Sequence, residues 1–128
     1  MGQQQLLLIV VGIIIVGIAI VVGMNLYRSS AIDTNRNNVV NELINIASEA
    51  QRYYRKPQPL GGGGSSFSNF QIPVSLRSTA SGTFEIDGEI QATELNVIGT
   101  GTEVVSGTDT VKVSIQVLPD TYNVTIIN

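Results

Sequence analysis

The sequence predicts an α+β fold in which one long N-terminal helix packs against a C-terminal antiparallel sheet. Three observations predict it. Residues 6–24 are nineteen consecutive residues without a charged or polar side chain. Residues 29–56 contain no Gly or Pro and carry apolar side chains at helical intervals. Beyond residue 67 the apolar residues change to period two, the pattern of a half-buried strand.

The first segment has the length of a membrane span. Nineteen helical residues extend roughly 29 Å, close to the thickness of a bilayer's hydrocarbon core. A helix buried in a globular domain keeps a polar face, and this run has none. A cleavable secretory signal needs a basic start, a shorter apolar core and a small-residue cleavage site. Here the run is preceded by Met-Gly-Gln-Gln-Gln and is too long for that reading. Gly12, Gly17 and Gly23 interrupt it. Each glycine costs roughly 1 kcal/mol of helix propensity against Ala, yet each lets a second backbone come close in an apolar medium. Glycine is also commoner in membrane helices generally, and the spacing here is not GxxxG. Basic residues usually flank the cytoplasmic end of a span, whereas Arg28 and Arg36 follow this one. A basic leader ahead of Met1 would reconcile the two.

Residues 29–56 continue the helix in amphipathic form. Ile32, Val39, Val40, Leu43, Ile46, Ala47, Ala50, Tyr53 and Tyr54 recur at intervals of three and four and form one stripe. Glu49 and Arg52 are spaced to pair, and Arg52, Arg55 and Lys56 suit a helix C-terminus. Pro57 stops the helix. No strong breaker lies between residues 24 and 29, so both halves form one helix of about fifty residues, roughly 80 Å long. The expected division is 1–56 for this helix (1–27 apolar anchor and filament core, 28–56 amphipathic), 57–68 for a Gly/Ser-rich linker and 69–128 for a β head.

The linker contains Gly61 to Gly64 followed by Ser65 and Ser66. No strand precedes it and no Gly-Lys-Ser/Thr follows, so it is read as a flexible connector and not a phosphate-binding loop. In the head, Val111, Val113, Ile115 and Val117 alternate with polar residues. Tyr122, Val124 and Ile126 do the same. Weaker strands are expected at 83–87, 90–98 and 102–105. Turns are expected at Asp87-Gly88, at residues 99–101 and 106–109, and at Pro119-Asp120. Such short connections dictate an antiparallel sheet. About sixty β residues make a marginal core alone, so one sheet face should close on the stripe of Val39, Leu43, Ile46 and Ala50.

Composition narrows the function. The 128 residues include no Cys, His or Trp. That excludes disulfides, thiolate zinc sites and a Ser-His-Asp relay. No catalytic, cofactor-binding or metal residues are expected, and no cofactor. Net charge is −3, with only Arg77 and Lys112 against seven acids in residues 57–128. This acidic half does not suit nucleic acid. Glu85, Asp87 and Glu89 are the one carboxylate cluster, and beside a tight turn they read as solvated surface. Asn123-Val124-Thr125 is a sequon, making Asn123 a possible glycosylation site.

A long helix, apolar then amphipathic, followed by a loop and an antiparallel sheet, resembles the type IV pilins and their archaeal pilin relatives. The resemblance covers the N-terminal half in detail and the β half in general character. Bacterial members begin with an N-methylated Phe or Met, followed a few residues on by a glutamate. If Met1 is that first residue, Gln5 stands in the glutamate's place, and its salt bridge to the terminal amine cannot form. Alternatively, a peptidase cuts after Gly2 and Gln3 is the mature start. The proline that often breaks the family's helix is absent. The resemblance implies a structural, non-enzymatic subunit that waits in the inner or cytoplasmic membrane. An assembly machine then extracts it into a homopolymeric pilus at the cell surface, of the kind that serves adhesion and motility. The expected assembly interface is Gln5, Leu6, Ile9, Gly12, Ile13, Val16, Gly17, Ile20 and Gly23. The alternative is a single-span membrane protein displaying a β binding domain that never polymerises.

Overall fold

A computed structural model describes residues 2–128. Helix α1 runs Gly2–Arg55 and is followed by a single 3-10 turn at Gln58–Leu60 and a four-residue helix α2, Val74–Arg77. Five strands complete the chain: β1 Ser78–Thr79, β2 Gly82–Ile86, β3 Leu95–Ser106, β4 Asp109–Val117 and β5 Tyr122–Ile126. They form one sheet in the order β1-β2-β3-β4-β5, every neighbouring pair antiparallel. The α+β architecture predicted from the sequence is the one observed. The chain divides into two compact units, residues 2–31 and Ile32–Asn128.

The unit Ile32–Asn128 holds the core. Val39, Leu43, Ile46, Ala47 and Ala50 of α1 are fully buried, together with Leu95 and Val97 of β3 and Val111, Val113, Ile115 and Val117 of β4. The helix thus lies over the middle strands, and β4 alternates buried and half-buried as its period-two pattern demands. Phe67, Phe70 and Ile72 close the core beside the end of the helix. There Tyr54 packs on Phe67 with ring centroids 4.9 Å apart, and Tyr53 meets Phe70 edge-on at 5.4 Å, favourable geometries for aromatic pairs. Glu49 and Arg52 pair at 3.1 Å as their spacing predicted.

Several local readings are corrected. Residues 99–101 are not a turn. They lie inside the twelve-residue β3, which takes in residues 95–98 of the strand expected at 90–98 and all of the one expected at 102–105, while residues 90–94 are not strand. The glycines there serve close packing: a side chain at Gly99 would meet Val39 and Phe84, and one at Gly101 would meet Asn35. Asn35 is the buried polar member of the helix stripe. Its Nδ2 donates to the Ser81 carbonyl at 2.9 Å, and its Oδ1 accepts from the Thr102 amide at 3.1 Å. The Asp87-Gly88 pair does not make a tight hairpin. Residues 87–94 form a wider connection, closed by Asp87 N–H to the Asn96 carbonyl and by Gln91 N–H to the Glu94 carbonyl.

The glycine run is also no free connector. The amides of Gly63, Gly64 and Ser65 donate to the carbonyls of Tyr53, Lys56 and Tyr54 at 2.8, 3.0 and 2.7 Å. These carbonyls belong to the last turn of α1 and to the residue just beyond it, where a helix leaves its acceptors unpaired. Gly61 takes φ 86°, the left-handed conformation that glycine adopts without steric cost. At Gly63 a Cβ would run into the Ser66 carbonyl and the Tyr53 ring. The glycines therefore fold the chain back as a cap on the helix.

Strand β5 departs furthest from its pattern. Its alternation predicts a half-buried strand, yet all five residues are exposed. It is an edge strand, paired only with β4, and the helix does not cover it.

Candidate assembly surface

Residues 2–31 lie within a regular α-helix, with no residue of the unit buried. Leu6, Ile9, Ile13, Val16 and Ile20 of the expected interface are 56–67% exposed. Gln5 is exposed too, and the spaces where side chains would stand at Gly12, Gly17 and Gly23 are open. At about 100° per residue the nine positions fall within an arc of about 140°. The helix therefore brings them to one face. Exposure does not set that face apart, because Leu7, Val10, Ile14, Ile18 and Val21 on the rest of the circumference are equally open. Gly12 and Gly23 lie within about 20° of one line along the helix, and Gly17 lies more than about 100° from that line. The unit thus offers small residues on two sides.

The helix is long and apolar enough to cross a membrane. Asn25, Tyr27 and Arg28 follow the apolar run immediately. A tyrosine and an arginine in that position are the residue types that settle at a membrane–water boundary, one end apolar and the other wet. Of the two alternatives for the mature first residue, Met1 lies outside the described residues, and Gln3 lies in the first turn of α1.

The remaining sequence-level sites are placed in the unit Ile32–Asn128. Asn123 is exposed on β5, its amide donating to Gln116 Oε1 at 3.4 Å. Glu85 lies on β2, Asp87 and Glu89 lie in the connection after it, and all three are exposed. Among the described residues no group of three or more His, Cys, Asp or Glu side chains is arranged to hold a metal ion. No buried side-chain polar atom among them lacks a partner, so the interior holds no polar group waiting for a ligand.

What the sequence reading missed is Asn35, the polar pin between helix and sheet. Its signal was available: position 35 falls between Ile32 and Val39 in the stripe, where an apolar residue would otherwise stand. The molecule therefore combines a long N-terminal helix, apolar in its first half, with a C-terminal antiparallel sheet. No family model, curated protein or solved structure matches it.

Proposed function

We propose that the chain is a structural subunit of a type IV pilus-like filament at the cell surface, polymerising through residues 6–24 and performing no catalysis. One observation carries the reading: the first unit exposes apolar side chains around its whole circumference, while the second closes its own core. In water such a helix needs apolar contact on every side. A bilayer supplies it before assembly, and a bundle of identical helices supplies it afterwards. Exchange of lipid for neighbouring helices loses no hydrophobic burial. Small residues on two sides favour several neighbours over a single dimer face. Gln3, Gln4 and Gln5 then enter the bundle, where their amides must pair with one another or with backbone, since an unpaired buried amide costs about 1–3 kcal/mol. Partners are copies of the same chain, the membrane and an assembly machine, with no nucleic acid.

The test is Gly17→Leu, which adds bulk without polarity. Membrane-fraction protein should stay at the wild-type level, while sheared surface filament, imaged by negative-stain microscopy, should fall sharply. Unchanged filament yield would remove Gly17 from the interface. Absence of filaments from the wild type would leave the membrane-anchored, non-polymerising β domain as the reading.

A further inference from the structure

Strand β5 ends the sheet with its outer edge in solvent: it pairs only with β4, and all five of its residues are exposed. The ladder decides which backbone groups that edge offers. The amide of Leu118 donates to the Thr121 carbonyl at 2.8 Å, and that of Ile127 to the Lys112 carbonyl at 2.9 Å. Hydrogen-bonded pairs alternate along an antiparallel ladder. Both bonds fit the register that sets Gln116 against Asn123 and Ser114 against Thr125. Asn123 and Thr125 therefore turn their N–H and C=O groups toward β4, and Tyr122, Val124 and Ile126 turn theirs outward.

The same three residues carry their side chains on the helix-covered face, in rows with Val117, Ile115 and Val113 of β4. The helix covers the β4 end of each row and leaves the β5 end open. Exposure rises from 0% at Ile115 to 36% at Val124, and from 0% at Val113 to 57% at Ile126. Edge strands normally carry devices against pairing, such as lysine, proline or a bulge. Strand β5, Tyr-Asn-Val-Thr-Ile, has no charge and no proline, and its register with β4 is unbroken.

We propose that β5 pairs antiparallel with β5 of a second copy, about a twofold axis that passes through the Val124 pair perpendicular to the sheet. This register sets Val124 against Val124 and Tyr122 against Ile126, so every outward-facing group of both strands finds a partner. A shift of two residues either way leaves an end residue of each strand unpaired. The apolar rows run on across the junction, and on the outer face uncharged Asn123 meets Thr125. Beyond the strand ends, exposed Asp120 of one copy falls opposite Asn128 of the other, whose carbonyl accepts from Arg36 Nε at 3.2 Å. Symmetry thus brings an acid toward a guanidinium at both ends of the contact. The helices, over the middle strands of each sheet, stand about four strand spacings apart, roughly 19 Å, and do not collide.

Such a contact is isologous and closes on itself. A five-residue edge is small for an interface that must hold alone, and it gains strength where many copies face one another. The twofold also reverses residues 32–55 of α1 between the two copies. In a filament whose helices run side by side in one direction, the pair therefore joins neighbouring filaments that lie antiparallel. For that placement the inference rests on the filament reading, whereas the strand pairing does not.

The experiment uses the cysteine-free background. Full-length Asn123→Cys and Thr125→Cys chains, both altered at exposed positions, are oxidised in mild detergent, separately and as an equal mixture, and resolved by denaturing electrophoresis. Position 123 of one copy lies against position 125 of the other at a non-hydrogen-bonded pair, with Cα atoms about 4.5 Å apart and within disulfide range. The mixture should give at least tenfold more covalent dimer than either variant alone. Equal dimer from one variant alone would mark a shifted register and overturn the one centred on Val124. Absence of dimer from all three samples would overturn the pairing. Adding Val124→Lys to both chains should remove the dimer, with near-ultraviolet dichroism reading whether the head stays folded. Asp120→Lys, which sets a cation toward Arg36, should cut the yield severalfold. A yield that neither substitution changes would overturn the edge contact. Wild-type filaments should lie in lateral pairs that Val124→Lys separates without reducing their number. Loss of the filaments themselves would overturn the placement between filaments. Dimer from a chain that forms no filaments would support the strand pairing and count against the filament reading.

Discussion

The two parts of α1 meet the same physical demand in opposite ways. In residues 32–55 the apolar stripe is satisfied within the chain: Val39, Leu43, Ile46 and Ala50 have no exposed surface. In residues 2–31 every large apolar side chain is at least half exposed. The difference lies in periodicity. A stripe can be covered by one sheet, whereas an apolar circumference needs contact from all sides. Self-sufficiency and dependence on an environment are thus written into one helix by the presence or absence of polar residues at every third or fourth position.

Core truncation should give the largest contrast. Leu43→Ala should destabilise the second unit by about 2–5 kcal/mol, through lost burial and a residual cavity. Ile13→Ala, in the first unit, should leave that unfolding transition where it is. Denaturant unfolding of the full chain in mild detergent, followed by near-ultraviolet circular dichroism, reads both. A shift with Ile13→Ala as large as that with Leu43→Ala would break the distinction between the regions.

Glycine substitution sharpens it, because the sign should reverse. Gly63→Ala should destabilise by about 1–3 kcal/mol, since the new methyl needs backbone to move. Gly12→Ala meets open space and should favour the helix by up to about 1 kcal/mol. Far-ultraviolet dichroism in detergent checks the second, and the thermal midpoint of the head checks the first. Destabilisation of the detergent-bound helix by Gly12→Ala would mean that contacts within one chain already use that glycine.

Asn35→Ala should give the smallest and most local effect. It removes the partners of the Ser81 carbonyl and the Thr102 amide, costing about 1–3 kcal/mol, toward the lower end because Thr102 reaches solvent. Amide exchange at Thr102 should accelerate more than at Val113. Equal acceleration at both sites would mean that Asn35 supports the whole core and not one corner.

The legible parts of this molecule are those where one period decides the answer. The stripe from Val39 to Ala50 and the alternation in β4 each name a buried face, and both faces are buried together. The turn expected at residues 99–101 failed because glycine has two uses, and composition cannot separate a bend from a close approach. Val39 and Asn35 lie far away in sequence, so nothing local announces that a helix will press on Gly99 and Gly101. The half-buried expectation for β5 failed for a related reason. Alternation at Tyr122, Val124 and Ile126 assigns a face to the strand, but only strand order and helix width decide whether that face is covered. The exposure of Leu6 to Met24 was implicit in composition. No side chain among the described residues covers them, and no periodicity within one chain encodes what else would.

The cap after α1 bears on how the chain withstands proteolysis. A run of four glycines and two serines would ordinarily be a chain's first point of proteolytic nicking, because a protease needs a strand it can pull free. Here Gly63, Gly64 and Ser65 are held by three main-chain hydrogen bonds to the end of the helix, and Gly63 is buried. Cleavage requires that end to open first, so the rate at which it is cut is tied to the opening equilibrium of the local structure and not to the softness of its composition.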